Sequence, residues 1–147
     1  MTDPEALIDA ARRAAVHAHA PYSRFAVGAA LLLTDGSIVT GTNFENASYG
    51  LSLCAETVAT ATASAAGRLG DIVAVGIVGG RMGAADVVSV RPCGRCRQVL
   101  NEAAQMGGRD LAVHCAGLGG GTIETYRLSD LLPHAFGPAD LGIGGIA

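Results

Sequence analysis

The chain has 147 residues, half of them hydrophobic and only 16% charged, with a formal net charge of −3. A length of this order predicts a single domain, residues 1–147, that buries one core without staples, and the composition argues against disorder. The acidic balance and the lack of any Lys/Arg run disfavour a polynucleotide groove, and with it a polynucleotide editor. No apolar stretch reaches the roughly 18 residues that span a bilayer, and the N-terminus lacks the basic start of a secretory signal, so a cytoplasmic protein with neither nucleic-acid nor membrane partners is expected.

Thr2-Asp-Pro-Glu5 reads as a helix start, with Thr2 as the cap and Pro4 in the first turn. Leu7, Ile8, Ala11, Ala14 and Ala15 then recur at helical spacing, which predicts a helix over 3–19 that Pro21 ends. Residues 26–33 and 37–43 read as strands joined by the turn residues Thr34-Asp-Gly-Ser37. The Ala-rich segment 54–66 predicts a helix closed by Gly67, and the apolar run Ile72–Val78 a strand buried on both faces. Gly79 to Ala85 reads as a loop, Cys93 to Met106 as a helix closed by Gly107-Gly108, and Leu111–Cys115 as a strand. Gly119-Gly-Gly121 reads as a flexible link, Thr122–Tyr126 as a short last strand, and Leu128–Leu132 as a helical turn. A hairpin followed by alternating helices and strands implies an α/β fold, a three-layer α/β/α sandwich on a mixed sheet.

The chemistry resides in Cys54-Ala-Glu56 and Pro92-Cys93-Gly-Arg-Cys96. Cysteines can mean disulfides, but a C-x-x-C with a third distant cysteine and no secretion signal reads as metal ligation. Three thiolate ligands leave the fourth position of a tetrahedral Zn²⁺ open to water, the arrangement of catalytic rather than structural zinc. Glu56 is the nearby group able to carry protons. Cys54 and Cys93 both fall where helices begin, and the positive helix ends are expected to lower thiol pKa values. Cys115 sits in an apolar strand and reads as a buried core thiol. His17, His19, His114 and His134 show no metal spacing with the cysteines.

Asn43-Phe-Glu45 places an amide and a carboxylate two residues apart on one face. Alone it reads as a polar strand end making a turn. Near a zinc motif it reads as a pair for sugar hydroxyls, which both donate and accept.

Five blocks in order carry a resemblance: Pro21-Tyr-Ser-Arg-Phe-Ala-Val-Gly-Ala-Ala-Leu31, Asn43-Phe-Glu-Asn-Ala-Ser-Tyr-Gly50, Cys54-Ala-Glu56, Pro92-Cys-Gly-Arg-Cys-Arg-Gln-Val-Leu100 and Leu131-Leu-Pro-His-Ala-Phe-Gly-Pro-Ala-Asp-Leu141. From about residue 5 to 141 the chain closely resembles the small homotetrameric cytidine deaminases. The resemblance implies the cytidine deaminase-like sandwich with a five-stranded sheet. It also implies hydrolysis of cytidine and 2′-deoxycytidine to uridine and 2′-deoxyuridine with loss of ammonia, as in pyrimidine salvage. By the same resemblance Cys54, Cys93 and Cys96 would bind one zinc per subunit and Glu56 would shuttle protons. Asn43 and Glu45 would hold the ribose, with Phe25 flanking the base and Ala55 among the substrate contacts. Ala47, Tyr49 and Phe136 would reach a neighbouring subunit's site in a homotetramer with shared active sites. The family often carries Arg directly after the shuttle Glu, where this chain has Thr57. Arg97, beside Cys96, is the remaining nearby cation and is expected to bond a ligand sulfur. The related blasticidin-type deaminases share the zinc motifs but lack Asn-x-Glu-Asn, so an ordinary nucleoside is favoured over a modified one. A non-enzymatic zinc module, the rival of a different class, requires a fourth protein ligand such as Cys115 or a histidine.

Overall fold

A computed structural model describes residues 3–143. Thr2, read as the first cap, lies outside them; the Asp3 side chain accepts from Ala6 N at 2.8 Å and starts α1, Pro4–Ala15. The helix stops short of the expected residue 19. Residues beyond Ala15 leave it so that His19 can pair with the 43–45 segment, donating to Asn43 O and accepting from Glu45 N.

Strands β1 (Phe25–Leu33), β2 (Ile38–Thr42), β3 (Ile72–Arg81), β4 (Ala112–Gly117) and β5 (Gly120–Arg127) form one sheet in the order β2-β1-β3-β4-β5. Only β3 and β4 run parallel; the other neighbours are antiparallel. Helices α2 (Ala55–Ala65), α3 (Gly94–Gly107) and the short α4 (Leu128–Leu131) complete the main elements. The expected mixed five-stranded sheet is therefore present.

Two buried clusters define the layers. Ala29, Leu31, Val75, Ile77, Val113 and Cys115 face α2 and α3, represented by Ala55, Ala59, Leu100 and Ala103. Ala30, Leu32, Ala74, Val78 and Ala116 face α1 through Leu7, Ile8 and Ala11. Neighbouring strand residues thus go to opposite cores, as the period of two demands. Central strands covered on both sides must be apolar on both sides, which is why β1 and β3 read as unbroken hydrophobic runs.

Two loop readings differ from the structure. Strand β3 continues through Gly79 and Gly80 to Arg81. Those glycines are there for close approach: a Cβ at Gly79 would lie 3.0 Å from Val90, and one at Gly80 would lie 2.8 Å from Leu118. Likewise β5 begins at Gly120, so Leu118 and Gly119 form the turn of the β4–β5 hairpin and Gly120 and Gly121 are already strand rather than a slack link.

Glycine also sets how tightly the helices sit. A Cβ at Gly28 would lie 2.1 Å from Ala11 O of α1, and one at Gly41 would lie 2.5 Å from Ala59 N of α2. Both neighbours are backbone, which cannot swing aside. Gly28→Ala and Gly41→Ala should each destabilise the fold by about 1–3 kcal/mol or more through overpacking. Gly50→Ala, with nothing within 4 Å of the added methyl, is the control. Thermal unfolding should show lower Tm for the first two and little change for the third.

Candidate active site

The N-termini of α2 and α3 converge. Cys54 is the N-cap of α2 and Cys93 the N-cap of α3, both in extended backbone, with Cys96 in the first turn of α3. The Sγ atoms of Cys54, Cys93 and Cys96 all lie within 4.8 Å of one another, with Cys54 and Cys93 at 3.8 Å. Three soft donors this close suit a tetrahedral zinc. Among the described residues no fourth His, Cys, Asp or Glu joins them. Cys115 stands apart as a buried thiol of β4, as expected, with burial pushing its pKa up to about 12.

The electrostatics of the three thiols fit a dication. Burial pushes Cys54 and Cys96 up from the ordinary thiol value, Cys96 far more. At Cys93 burial also pushes upward, but hydrogen bonds from the Cys96 backbone N–H and from the Cys96 and Cys54 thiols outweigh it and hold Cys93 below the usual value. The expectation that the helix ends lower all three is met only at Cys93. At the other two, desolvation and like charge win, so a bound cation is what allows three thiolates to coexist here.

Glu56, in the first turn of α2, is only 4% exposed. Burial pushes its carboxyl up, and bonds from its own N–H and the Cys96 thiol pull it back only in part. That is the direction a carboxyl needs to exchange protons near neutral pH.

These groups open onto a cavity of about 370 Å³. Its lining includes Cys54, Ala55, Glu56 and Cys93 together with Phe25, Asn43 and Glu45. The sequence reading therefore brought together residues from β1, the end of β2 and both helix starts. The cavity wall also holds Ser23, Ser52, Val90 and Arg91, which that reading did not single out. Arg91 was findable only in three dimensions, because its partners Glu124 (3.2 Å) and Tyr126 (3.3 Å) lie on β5.

Asn43 and Glu45 are fixed by the segment leading into β1. Asn43 Oδ1 accepts from Val27 N at 2.9 Å and its Nδ2 donates to Phe25 O at 2.8 Å. Glu45 Oε1 accepts from Tyr22 N and Ser23 N, each at 3.1 Å, and Oε2 accepts from the Ser23 hydroxyl. The Ser23 bond comes first among the causes that hold the Glu45 carboxyl below its ordinary value, with the backbone bonds next. Between the two side chains Phe44 exchanges backbone hydrogen bonds with Leu53, at 2.9 and 2.8 Å. The polar pair is thereby tied to the residue preceding Cys54.

Three predicted contacts do not line the cavity of their own chain. Ala47 is exposed. Tyr49, 72% exposed, lies 5.6 Å from the Tyr22 ring. Phe136 is 62% exposed, and its carbonyl accepts from Gln98 and Asn101. Arg97 does not bond a sulfur. Its Nε donates to Pro92 O at 2.8 Å and its Nη1 to Leu131 O at 2.9 Å, because the side chain folds back along the turn that precedes Cys93. The group beside a sulfur is instead Thr57, whose Oγ1 lies 3.6 Å from Cys96 Sγ.

Comparison with known proteins agrees with this geometry. Residues 1–107 match the profile described as the cytidine and deoxycytidylate deaminase zinc-binding region. The cytidine deaminase of Halalkalibacterium halodurans is 45% identical over 140 residues, spanning 95% of this chain and 98% of that protein. That of Mycobacterium tuberculosis is 46% identical over 131 residues, spanning 89% and 87%. The crystal structure of the cytidine deaminase from Burkholderia pseudomallei superposes with a TM-score of 0.78 at 44% identity, covering 92% of this chain and 100% of the other. By profile, sequence and fold, the chain belongs to the cytidine and deoxycytidylate deaminase zinc-binding family.

Proposed function

We propose that the protein hydrolyses cytidine and 2′-deoxycytidine to uridine and 2′-deoxyuridine, releasing ammonia. The observation that carries this is one cavity whose wall holds Cys54 and Cys93 of the three-thiol cluster, the buried Glu56 carboxyl and the fixed Asn43–Glu45 amide–carboxylate pair. Such a cavity suits a base held beside the thiols and a sugar held by the amide–carboxylate pair. The whole chain acts as one catalytic domain, in the cytoplasm, and serves pyrimidine salvage.

Cys54, Cys93 and Cys96 would hold the zinc, whose Lewis acidity lets a water ionise near neutral pH. Glu56 takes the proton from the attacking water and delivers it to N3 of the ring. It then takes the proton of the hydroxyl now bonded to C4 and delivers it to the amino nitrogen, so that C4=O forms as the C4–N bond breaks and ammonia leaves. Phe25 packs against the base, and Ala55 lies between ligand and shuttle. Asn43 and Glu45 keep one free donor direction and two free acceptor directions for sugar hydroxyls, since their other valences are spent on the chain. A sugar-directed pair favours an ordinary nucleoside over a modified antibiotic. The lack of a fourth protein ligand among the described residues favours an enzyme over a closed zinc module.

The protein works as a homotetramer with shared sites. Supporting this, Phe136, Tyr49, Phe44 and Leu51 are all large, apolar and more than half exposed, as surface destined for a neighbour would be. Phe136 and Tyr49 then complete the cavity of an adjacent subunit.

Glu56→Gln should keep zinc but lose most turnover, about 10²–10⁴-fold in kcat, because Gln exchanges no protons. Cys93→Ala should lose metal and activity together. Metal analysis beside ultraviolet assays of cytidine conversion checks both, and near-normal turnover by Glu56→Gln at full zinc occupancy would contradict the mechanism. Sharing of sites is read by complementation. Glu56→Ala and Phe136→Ala subunits, refolded together, should exceed the summed activities of the two separate proteins. No gain means that Phe136 does not serve a neighbour's site.

A further inference from the structure

Ser23 lines the cavity together with Glu45, and its backbone N–H and hydroxyl both reach that carboxylate. The hydroxyl also accepts from Phe25 N at 3.0 Å. Between them Arg24 holds a left-handed backbone, φ 58°, an uncommon conformation for a non-glycine residue. The turn is kept by Arg24 N donating to Ala20 O and Arg24 O accepting from Met82 N. The turn brings the Ser23 side chain round to Glu45.

A hydroxyl has one proton, and that of Ser23 is given to Glu45. Ser23 therefore has no proton to offer a ligand, and its hydroxyl proton acts on one through Glu45. A carboxylate has about four acceptor directions, and Tyr22 N, Ser23 N and Ser23 Oγ occupy three of those of Glu45. One direction remains.

Resting on the reading of Glu45 as a sugar contact, we propose that Ser23 is a positioning residue for nucleoside recognition. Its hydroxyl, anchored by Phe25 N–H, fixes the Glu45 carboxylate so that its single free acceptor direction faces the sugar in the cavity. Without it the carboxylate keeps its charge and backbone donors but loses the bond that fixes Oε2.

The test uses zinc-loaded Ser23→Ala, Ser23→Thr, Glu45→Ala and the Ser23→Ala/Glu45→Ala double variant. KM and kcat are measured for cytidine, and inhibition constants for uridine and for uracil, which has no sugar. Ser23→Ala should raise KM for cytidine and Ki for uridine about tenfold, the scale of one charge-assisted hydrogen bond. It should leave kcat and the uracil constant within about twofold, a margin below half a kcal/mol. Ser23→Thr should restore both sugar-dependent constants, and the double variant should match Glu45→Ala alone. An unchanged KM in Ser23→Ala beside a raised KM in Glu45→Ala overturns the proposal and leaves the sugar reading standing. Equal weakening of uracil and uridine also overturns it, because Ser23 would then act through Phe25 and the base. Multiplying effects in the double variant do the same. If Glu45→Ala leaves KM unchanged, the sugar reading and this proposal fall together.

Discussion

Three thiols within 4.8 Å of one another, running from the exposed Cys93 to the buried Cys96, are the constraint around which the molecule is arranged. Ionising all three without compensation is forbidden by desolvation and mutual repulsion. The compensation comes from two sources: a bound dication and the positive ends of α2 and α3, whose first residues follow Cys54 and Cys93. Zinc binding must then release thiol protons and stabilise the fold that gathers them. The tight seating of α2 on β2, possible only with glycine at 41, is part of the same arrangement.

From that centre the rest of the cavity follows by short covalent and hydrogen-bonded links. The step from Cys54 to Glu56 is two residues, so the metal end and the proton carrier share one helical turn. The step from Cys54 back to Leu53 leads by a backbone pair to Phe44, and thus to Asn43 and Glu45. Those two in turn grip residues 22–27 at the start of β1. A sugar contact and a metal ligand are therefore held in a fixed relation by main-chain bonds rather than by flexible side chains. Such support is what a site needs to place reacting atoms within a fraction of an ångström.

The sequence was most legible where the chemistry restricts residue type. Cysteine, glutamate and proline at Cys54, Glu56, Pro92, Cys93 and Cys96 could be read as a site because few other roles need that spacing, and the helix starts expected at Cys54 and Cys93 agree with the structure. It was least legible where one residue type serves opposite ends. Gly79, Gly80 and Gly120 read as loop but lie in strands, because each solves a crowding or turn problem set by segments distant in sequence. Arg97 sits beside a ligand in sequence, yet its guanidinium serves the carbonyls of Pro92 and Leu131, and Thr57 takes the place near sulfur. Ser23 gave no signal of its own, since its partner is twenty-two residues away. The end of α1 at Ala15 was likewise decided by pairing of His19 with the 43–45 segment rather than by helical propensity.

The central claim is that this cluster holds zinc with three protein sulfurs and leaves one position to the reaction. X-ray absorption at the zinc edge of the metal-loaded protein tests it most directly. The account predicts three sulfurs at about 2.3 Å and one oxygen at about 2.0 Å, with no imidazole scattering. A fourth sulfur, or three sulfurs and a histidine nitrogen, would contradict it, because a metal closed by protein has no place for the water that the reaction consumes.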